Sequence, residues 1–230
     1  MTRKGIVLSK ALVHLLCLVP LLLLLRRFQM DDLGADPVNT ITHATGNWAL
    51  YILLASLAVT PVRRLTPRLA VLIRFRRMIG LYAFFYATLH LATYVFLFSG
   101  YDLPGVLMAL RSGHVTAVFA EWSRVWPTIY DDLLKRRFIQ VGFASWVILL
   151  ALAVTSPLLV LRAMGGKRWQ WLHRTVYAAA VLGVIHFWWL VKPGVTTPWR
   201  VTVVLTVLLA ARILHVAFRR SGPAGRSSAA

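Results

Sequence analysis

The chain has 230 residues, 59% of them hydrophobic, with a mean hydropathy of +0.69 and a formal net charge of +19. That composition excludes an ordinary soluble domain, and several apolar runs of about 20 residues point to a polytopic membrane protein. A pI near 11.5 would suit a nucleic-acid binder, but the cations sit in loops between apolar runs, which disfavours that reading.

In chain order the apolar runs predict an all-α bundle of six transmembrane helices, at residues 6–25, 46–62, 76–99, 138–161, 175–191 and 199–218. The first follows Lys4 and Lys10 like a signal peptide. Arg26 and Arg27 stand where a small-residue cleavage site would be, so an uncleaved span is expected. Cys17, the single cysteine, lies in that span and can form no internal disulfide.

Loop charges set the orientation. With both termini cytoplasmic, the inner segments hold most of the 26 basic residues, and all seven acids fall on the other side. The longest loop, residues 100–137, is then outside; it carries Trp122, Trp126 and the pair Asp131–Asp132. It reads either as a dock for a partner or as an amphipathic interfacial segment. The end of the chain, residues 221–230, reads as a short disordered cytoplasmic tail.

Two stretches echo each other. Leu57–Ala58–Val59–Thr60–Pro61 and Leu152–Ala153–Val154–Thr155–Ser156–Pro157 each close a span and lead through a basic loop into a histidine-bearing helix. Pro61 precedes His90 by as many residues as Pro157 precedes His186, which favours duplication of a helical hairpin.

The two histidine helices run parallel, and each imidazole lies roughly 20 Å from the cytoplasmic end of its span. An ionisable residue at that depth usually faces the bundle interior for a functional reason. Two imidazoles at one height suit bis-axial ligation of a haem iron. Ala83 and Ala87 precede His90 at helical spacing, and Ala179 and Gly183 precede His186 likewise, keeping both faces small. Tyr86 and Tyr94 border the same face, where they could reach a propionate. The plain alternative is helix packing, with each histidine hydrogen-bonded across helices.

His173 is the third candidate. Read as one helix, residues 169–192 would turn His173 about 220° away from His186, so both point inward only if the helix is interrupted between them. Its counterpart in the first hairpin is Arg77, so a second haem would lack its opposite ligand. A propionate, a flavin phosphate or a quinone oxygen could instead meet His173, aided by Arg76, Arg77, Arg168 and Arg174. His14 is expected to act as polar glue; His43, His114 and His215 are weak ligand candidates. Phosphate-binding loops, metalloprotease motifs and C-x-x-C-H haem attachment are absent from the sequence.

The blocks around Asp36–Leu50, Leu57–Leu65, Arg76–Tyr94, Lys135–Trp146, Leu152–Pro157 and Gly165–Lys192 resemble the MsrQ (formerly YedZ) family. That family falls within the ferric-reductase-like transmembrane domains shared with NADPH oxidases and ferric reductases. The resemblance implies a single such domain over residues 1–220, in the bacterial inner membrane. It also implies haem b, one or two, with ligand positions on His90, His173 and His186, and an FMN of unassigned site. Electrons would pass from the quinone pool or a cytoplasmic flavin reductase to a periplasmic molybdenum-cofactor subunit that reduces methionine sulfoxide. Such a chain is an electron-transfer subunit rather than the catalytic one. The residues alone leave open a stand-alone ferric or cupric reductase, or a haem-free scaffold or transporter.

Overall fold

In a computed structural model, residues 3–191 and 194–221 are described and contain helices but no strand. Most of the expected tail, residues 222–230, lies outside them, as does Lys192. The helices are α1 (Arg3–Gln29), α2 (Pro37–Val62), α3 (Ile73–Thr93), α4 (Leu103–Arg111), α5 (Thr116–Lys135), α6 (Arg137–Val154), α7 (Leu158–Met164), α8 (Gly166–Arg174), α9 (Val176–Leu190) and α10 (Thr197–Ser221). A 3-10 turn (Pro67–Leu72) leads into α3, and a π turn (Tyr94–Phe98) ends it.

Five stretches among the described residues are long and apolar enough to cross a membrane: Lys4–Gln29, Pro37–Val62, Pro67–Phe98, Arg137–Val154 and Thr197–Phe218. The expected fifth span is the exception. α9 has 15 residues, about 22 Å at helical rise, against roughly 30 Å of hydrocarbon.

Two antiparallel hairpins form the body, α2 on α3 and α6 on α9, joined through α3 to α6 and α2 to α9. α1 lies against α2 and α3, and α10 against α2 and α9. α2 is central: half of its most apolar stretch is buried, compared with 6% for α1, whose Leu8, Leu12, Leu15 and Leu16 face outward. Outward leucines suit lipid, which removes the hydrophobic drive between spans and leaves close packing and polar contacts to hold them together. Ala83, Ala179 and Ala180 are fully buried and let the helices approach. Ser145 Oγ donates to the Ala179 carbonyl at 2.9 Å, and Trp146 Nε1 to Thr88 Oγ1 at 3.1 Å. His14 meets Tyr82 Oη at 2.8 Å, the glue role the sequence suggests.

The expected fourth span, residues 138–161, is cut short. α6 stops at Val154 because Pro157 has no N–H, while the Thr155 and Ser156 hydroxyls take the Ala151 and Leu152 carbonyls at 2.6 and 2.8 Å. The chain then turns through α7 and Gly165 (φ +77°), a conformation that favours glycine, into α8. The long segment expected outside, residues 100–137, is two helices rather than a loop. Asp102 caps α4 by accepting from the Gly105 N–H at 3.0 Å. α5 packs Trp122 and Val125 against Phe96 and Tyr101 while leaving Phe119, Trp126, Tyr130 and Leu134 exposed.

Charged contacts fasten α4 to α5. Glu121 accepts from the Asp102 N–H at 2.6 Å and pairs with Arg124, which also donates to the Gly100 carbonyl. The Arg124 guanidinium, followed by the Asp102 N–H, holds the Glu121 carboxyl down to about 2. A depressed carboxyl stabilises the fold above its unfolded value of about 4.3, and that contribution disappears as pH falls through the folded value. Protection of α4 and the start of α5 against hydrogen exchange, after allowance for the intrinsic slowing of amide exchange in acid, should therefore fall progressively between pH 5 and pH 2. In Glu121→Gln the same segment should exchange fast already at pH 6, with a flatter acid response.

Candidate functional site: two histidines held from neighbouring helices

His90 on α3 and His186 on α9 face each other, ring centres 6.0 Å apart and planes at 77°. Neither helix fixes its ring alone. His90 Nδ1 lies 3.1 Å from the Thr42 carbonyl on α2, and His186 Nδ1 lies 2.8 Å from the Phe138 carbonyl on α6. Each carbonyl precedes its histidine by 48 residues, so the two hairpins repeat the contact as well as the sequence. A carbonyl can only accept, so each Nδ1 carries the proton and each Nε2 keeps a free lone pair. Metal-bound histidines are generally oriented in this way.

Glycines make room for the rings. A Cβ on Gly46 would lie 3.0 Å from the His90 ring, and one on Gly142 would lie 2.6 Å from His186 Nδ1. The Thr42 and Phe138 carbonyls sit one helical turn before these glycines, so carbonyl and glycine form one seat for each imidazole. The small residues noted in the sequence do something else. Ala83 and Ala179 are closed in by neighbouring helices, and a Cβ on Gly183 would be in ordinary contact with Leu50 at 3.5 Å.

Among the described residues no group of three or more His, Cys, Asp or Glu side chains is placed to hold a metal ion. Two imidazoles without a third donor cannot complete a zinc tetrahedron. They do match the two axial positions of a haem iron, whose other ligands come from the macrocycle. With metal–imidazole bonds of about 2.0 Å, two rings on opposite sides of one metal have centres roughly 6 Å apart, as these have. The residues therefore fit the group.

Tyr86 is placed elsewhere. Its side chain is buried, and its hydroxyl donates to the Cys17 carbonyl at 2.8 Å while accepting from the Leu21 N–H at 3.1 Å, beside Pro20 of α1. It ties α1 to α3. Tyr86→Phe should lower stability by on the order of 1 kcal/mol and loosen α1, read as a lower melting temperature and faster exchange at residues 15–23. Tyr94 turns its hydroxyl to Asp132 on α5 at 2.8 Å, and Asp132 pairs with Arg136 at 2.8 Å. His90's helix is thereby linked to α5.

His173 belongs to a second place. The helix expected to carry both His173 and His186 is broken at Thr175, whose hydroxyl takes the Leu172 carbonyl at 2.7 Å, so His173 lies on α8, outside α9. Its ring stacks on Trp169 with centres 3.8 Å apart, and its Nε2 is 3.2 Å from Thr155 Oγ1. The Thr155 carbonyl, freed by the end of α6, accepts from Trp169 Nε1 at 2.8 Å. Burial, and then Arg76 and Arg77, push this imidazole below its usual value, which leaves it neutral at pH 7. His173 and Arg77 both line a cavity of about 560 Å³ at the basic end of the bundle, away from the His90–His186 pair.

The two glycine seats and the carbonyl partners are absent from the sequence reading. The signal was present: Gly46 and Gly142 keep the same register to His90 and His186.

The family model described as "Ferric reductase like transmembrane component" matches residues 42–184, from the His90-binding carbonyl to the turn before His186. Curated relatives are similar over nearly the whole chain. The "Protein-methionine-sulfoxide reductase heme-binding subunit MsrQ" of Xanthomonas axonopodis pv. citri (strain 306) is 42% identical over 99% of this chain and 95% of its own length. The proteins of the same name from Xanthomonas campestris pv. campestris (strain 8004) and Herminiimonas arsenicoxydans are 41% and 38% identical, each over 93% of this chain, and over 90% and 88% of their own lengths. With its paired hairpins, facing histidines and near full-length likeness, this chain belongs to the MsrQ family of ferric-reductase-like membrane proteins.

Proposed function

We propose that the chain is a haem b electron-transfer subunit of a bacterial inner membrane, serving a periplasmic methionine-sulfoxide reductase. The facing pair His90–His186, each seated on a carbonyl and a glycine, carries this reading. Bound there, the haem iron would supply one-electron chemistry. The chain's own work is to hold both imidazoles as Nε2 ligands, keep water out by close packing, and present an outer face to the acceptor.

In this reading α9 also crosses the membrane, as the fifth of six spans, both termini are cytoplasmic, and the pair lies in the outer half of the membrane. The basic end is where a quinol or a cytoplasmic flavin reductase delivers electrons, and FMN is a second cofactor there. The acceptor is a molybdenum-cofactor subunit, and the relatives' names support the link to methionine sulfoxide. The ferric-reductase likeness favours one rival, reduction of external ferric or cupric ions without a protein partner.

The test is a dithionite-reduced minus oxidised absorption spectrum of the purified protein, followed by mixing with acceptors. A b-type spectrum, reoxidised by the periplasmic subunit only when methionine sulfoxide is supplied, is the expected result. Reoxidation by ferric citrate alone, with no response to the subunit, would select the metal reductase. A colourless protein from haem-replete cells would remove both.

A further inference from the structure

α5 carries three stripes rather than the two of an ordinary surface helix. Val118, Trp122, Val125 and Ile129 form one, packed on Phe96, Tyr101 and Val106. Between about 100° and 180° around the helix from Val125 lie Phe119, Trp126, Tyr130 and Leu134, all four exposed. The remaining side holds Arg124, Thr128, Asp131 and Lys135, with its charges closed into the pairs Arg124–Glu121 and Lys135–Asp131. A helix whose free surface met only water would gain nothing by dividing it into an apolar and a charged side. The division fits a helix lying along a boundary, with one stripe on the bundle, one in lipid and one in water.

The place of α5 in the chain supports lipid as the occupant. Its 20 residues span about 30 Å, yet it is not among the stretches apolar enough to cross a membrane. It meets α6 at one extended residue, Arg136 (φ −98°, ψ 101°), so it does not prolong that helix. α6 is a stretch that can cross, and the join therefore holds the end of α5 at the membrane boundary. There Leu134 stands beside Lys135, Arg136 and Arg137, apolar surface next to cations as acyl chains lie next to phosphates. Trp126 and Tyr130 are residue types that settle at that level. α4 follows suit, with Leu107, Met108 and Leu110 exposed and Arg111 at its end. A protein partner is the rival occupant. Glu121, Asp131 and Asp132 are already paired with cations of the chain, which leaves little charge to orient one. We propose that α5 lies in the membrane interface with Phe119, Trp126, Tyr130 and Leu134 seated in the lipid. The Tyr94–Asp132 hydrogen bond then ties the end of His90's helix to an element fixed at the membrane surface. None of this depends on haem or on which side of the membrane α5 occupies.

The test uses the full chain in a Cys17→Ser background, reconstituted alone in vesicles of equal parts phosphatidylcholine and phosphatidylglycerol. A nitroxide is attached in turn to Phe119→Cys, Tyr130→Cys and Leu134→Cys on the apolar stripe, and to Thr128→Cys and Asp131→Cys on the polar one. Val207→Cys, on the exposed face of α10, is the lipid reference. Spin relaxation by oxygen, which concentrates in lipid, is compared with relaxation by a water-soluble nickel chelate. On the apolar stripe the oxygen-to-nickel ratio should approach that at Val207 and exceed that at Thr128 several-fold. Phe119 and Leu134 lie about four turns apart, so a variant that fails to fold leaves the other to decide. Ratios on the apolar stripe equal to that at Thr128 would place it in water and overturn the proposal. Exclusion of both reagents there would show that protein covers it, a second copy of the chain, and would overturn it equally.

Discussion

His90→Ala and His186→Ala should each abolish the low-spin b-type spectrum that the proposed function requires, and with it all electron delivery to the proposed acceptor. The effect is total because, under the proposed function, the two rings would be the whole protein contribution to one metal: they face each other at 6.0 Å, and no third donor clusters with them among the described residues. With either ring gone, the remaining imidazole alone would have to hold the haem, and the group's spin state and potential would change. The protein should still reach the membrane, since among the described residues each ring makes a single hydrogen bond, to Thr42 or to Phe138. His14→Ala serves as the comparison: it loses the contact to Tyr82 and should keep its haem. A low-spin spectrum surviving in either variant would sink the axial-ligand assignment.

Gly142→Ala should be the most damaging substitution outside the histidines, with Gly46→Ala milder. A methyl at position 142 would sit 2.6 Å from His186 Nδ1, closer than real Cβ contacts come, whereas at position 46 the nearest approach is 3.0 Å. The His186 ring cannot simply swing clear, because its Nδ1 is held 2.8 Å from the Phe138 carbonyl one turn away on the same helix. Relief must come from moving the ring or spreading α6 from α9, and a shift of about 0.5 Å is enough to spoil ligand geometry. Disturbing such supporting contacts typically costs on the order of ten- to a hundredfold in metal affinity. Haem retained per chain after purification, and the rate of its loss to apomyoglobin, should follow the order wild type, Gly46→Ala, Gly142→Ala. Equal retention in all three would show that the glycines serve only helix packing.

The repeated architecture gives these seats a reason. Duplicating a hairpin brings two copies of one contact into the same bundle, and parallel placement of α3 and α9 sets the copies face to face. The copies have diverged at the basic end, where His173 occupies the place corresponding to Arg77. One hairpin keeps an imidazole there and the other a guanidinium, which suits binding an anion better than ligating one metal between them.

Much was legible before any coordinates. Apolar runs and loop charges gave the membrane class and an expected orientation, because lipid forces backbone groups to pair within a segment and cations resist crossing. The matched prolines and histidines gave the duplicated hairpins and the pair His90–His186, because helical rise turns equal spacing into equal depth. What lies across from a side chain is another matter, since it depends on how helices are registered against each other. The Thr42 and Phe138 carbonyls, the seats at Gly46 and Gly142, and the turn of Tyr86 toward α1 are all contacts between segments far apart in the chain. Helix ends were also decided by tertiary contacts. An apolar run reads as continuous through Thr155 and through Thr175, yet hydroxyls there capture the carbonyls of the preceding turn, and the freed backbone of Thr155 is claimed by Trp169. Composition and spacing thus set the membrane class, the two hairpins and the depth of the histidines; only packing decided which atoms hold those histidines and where the helices between them break.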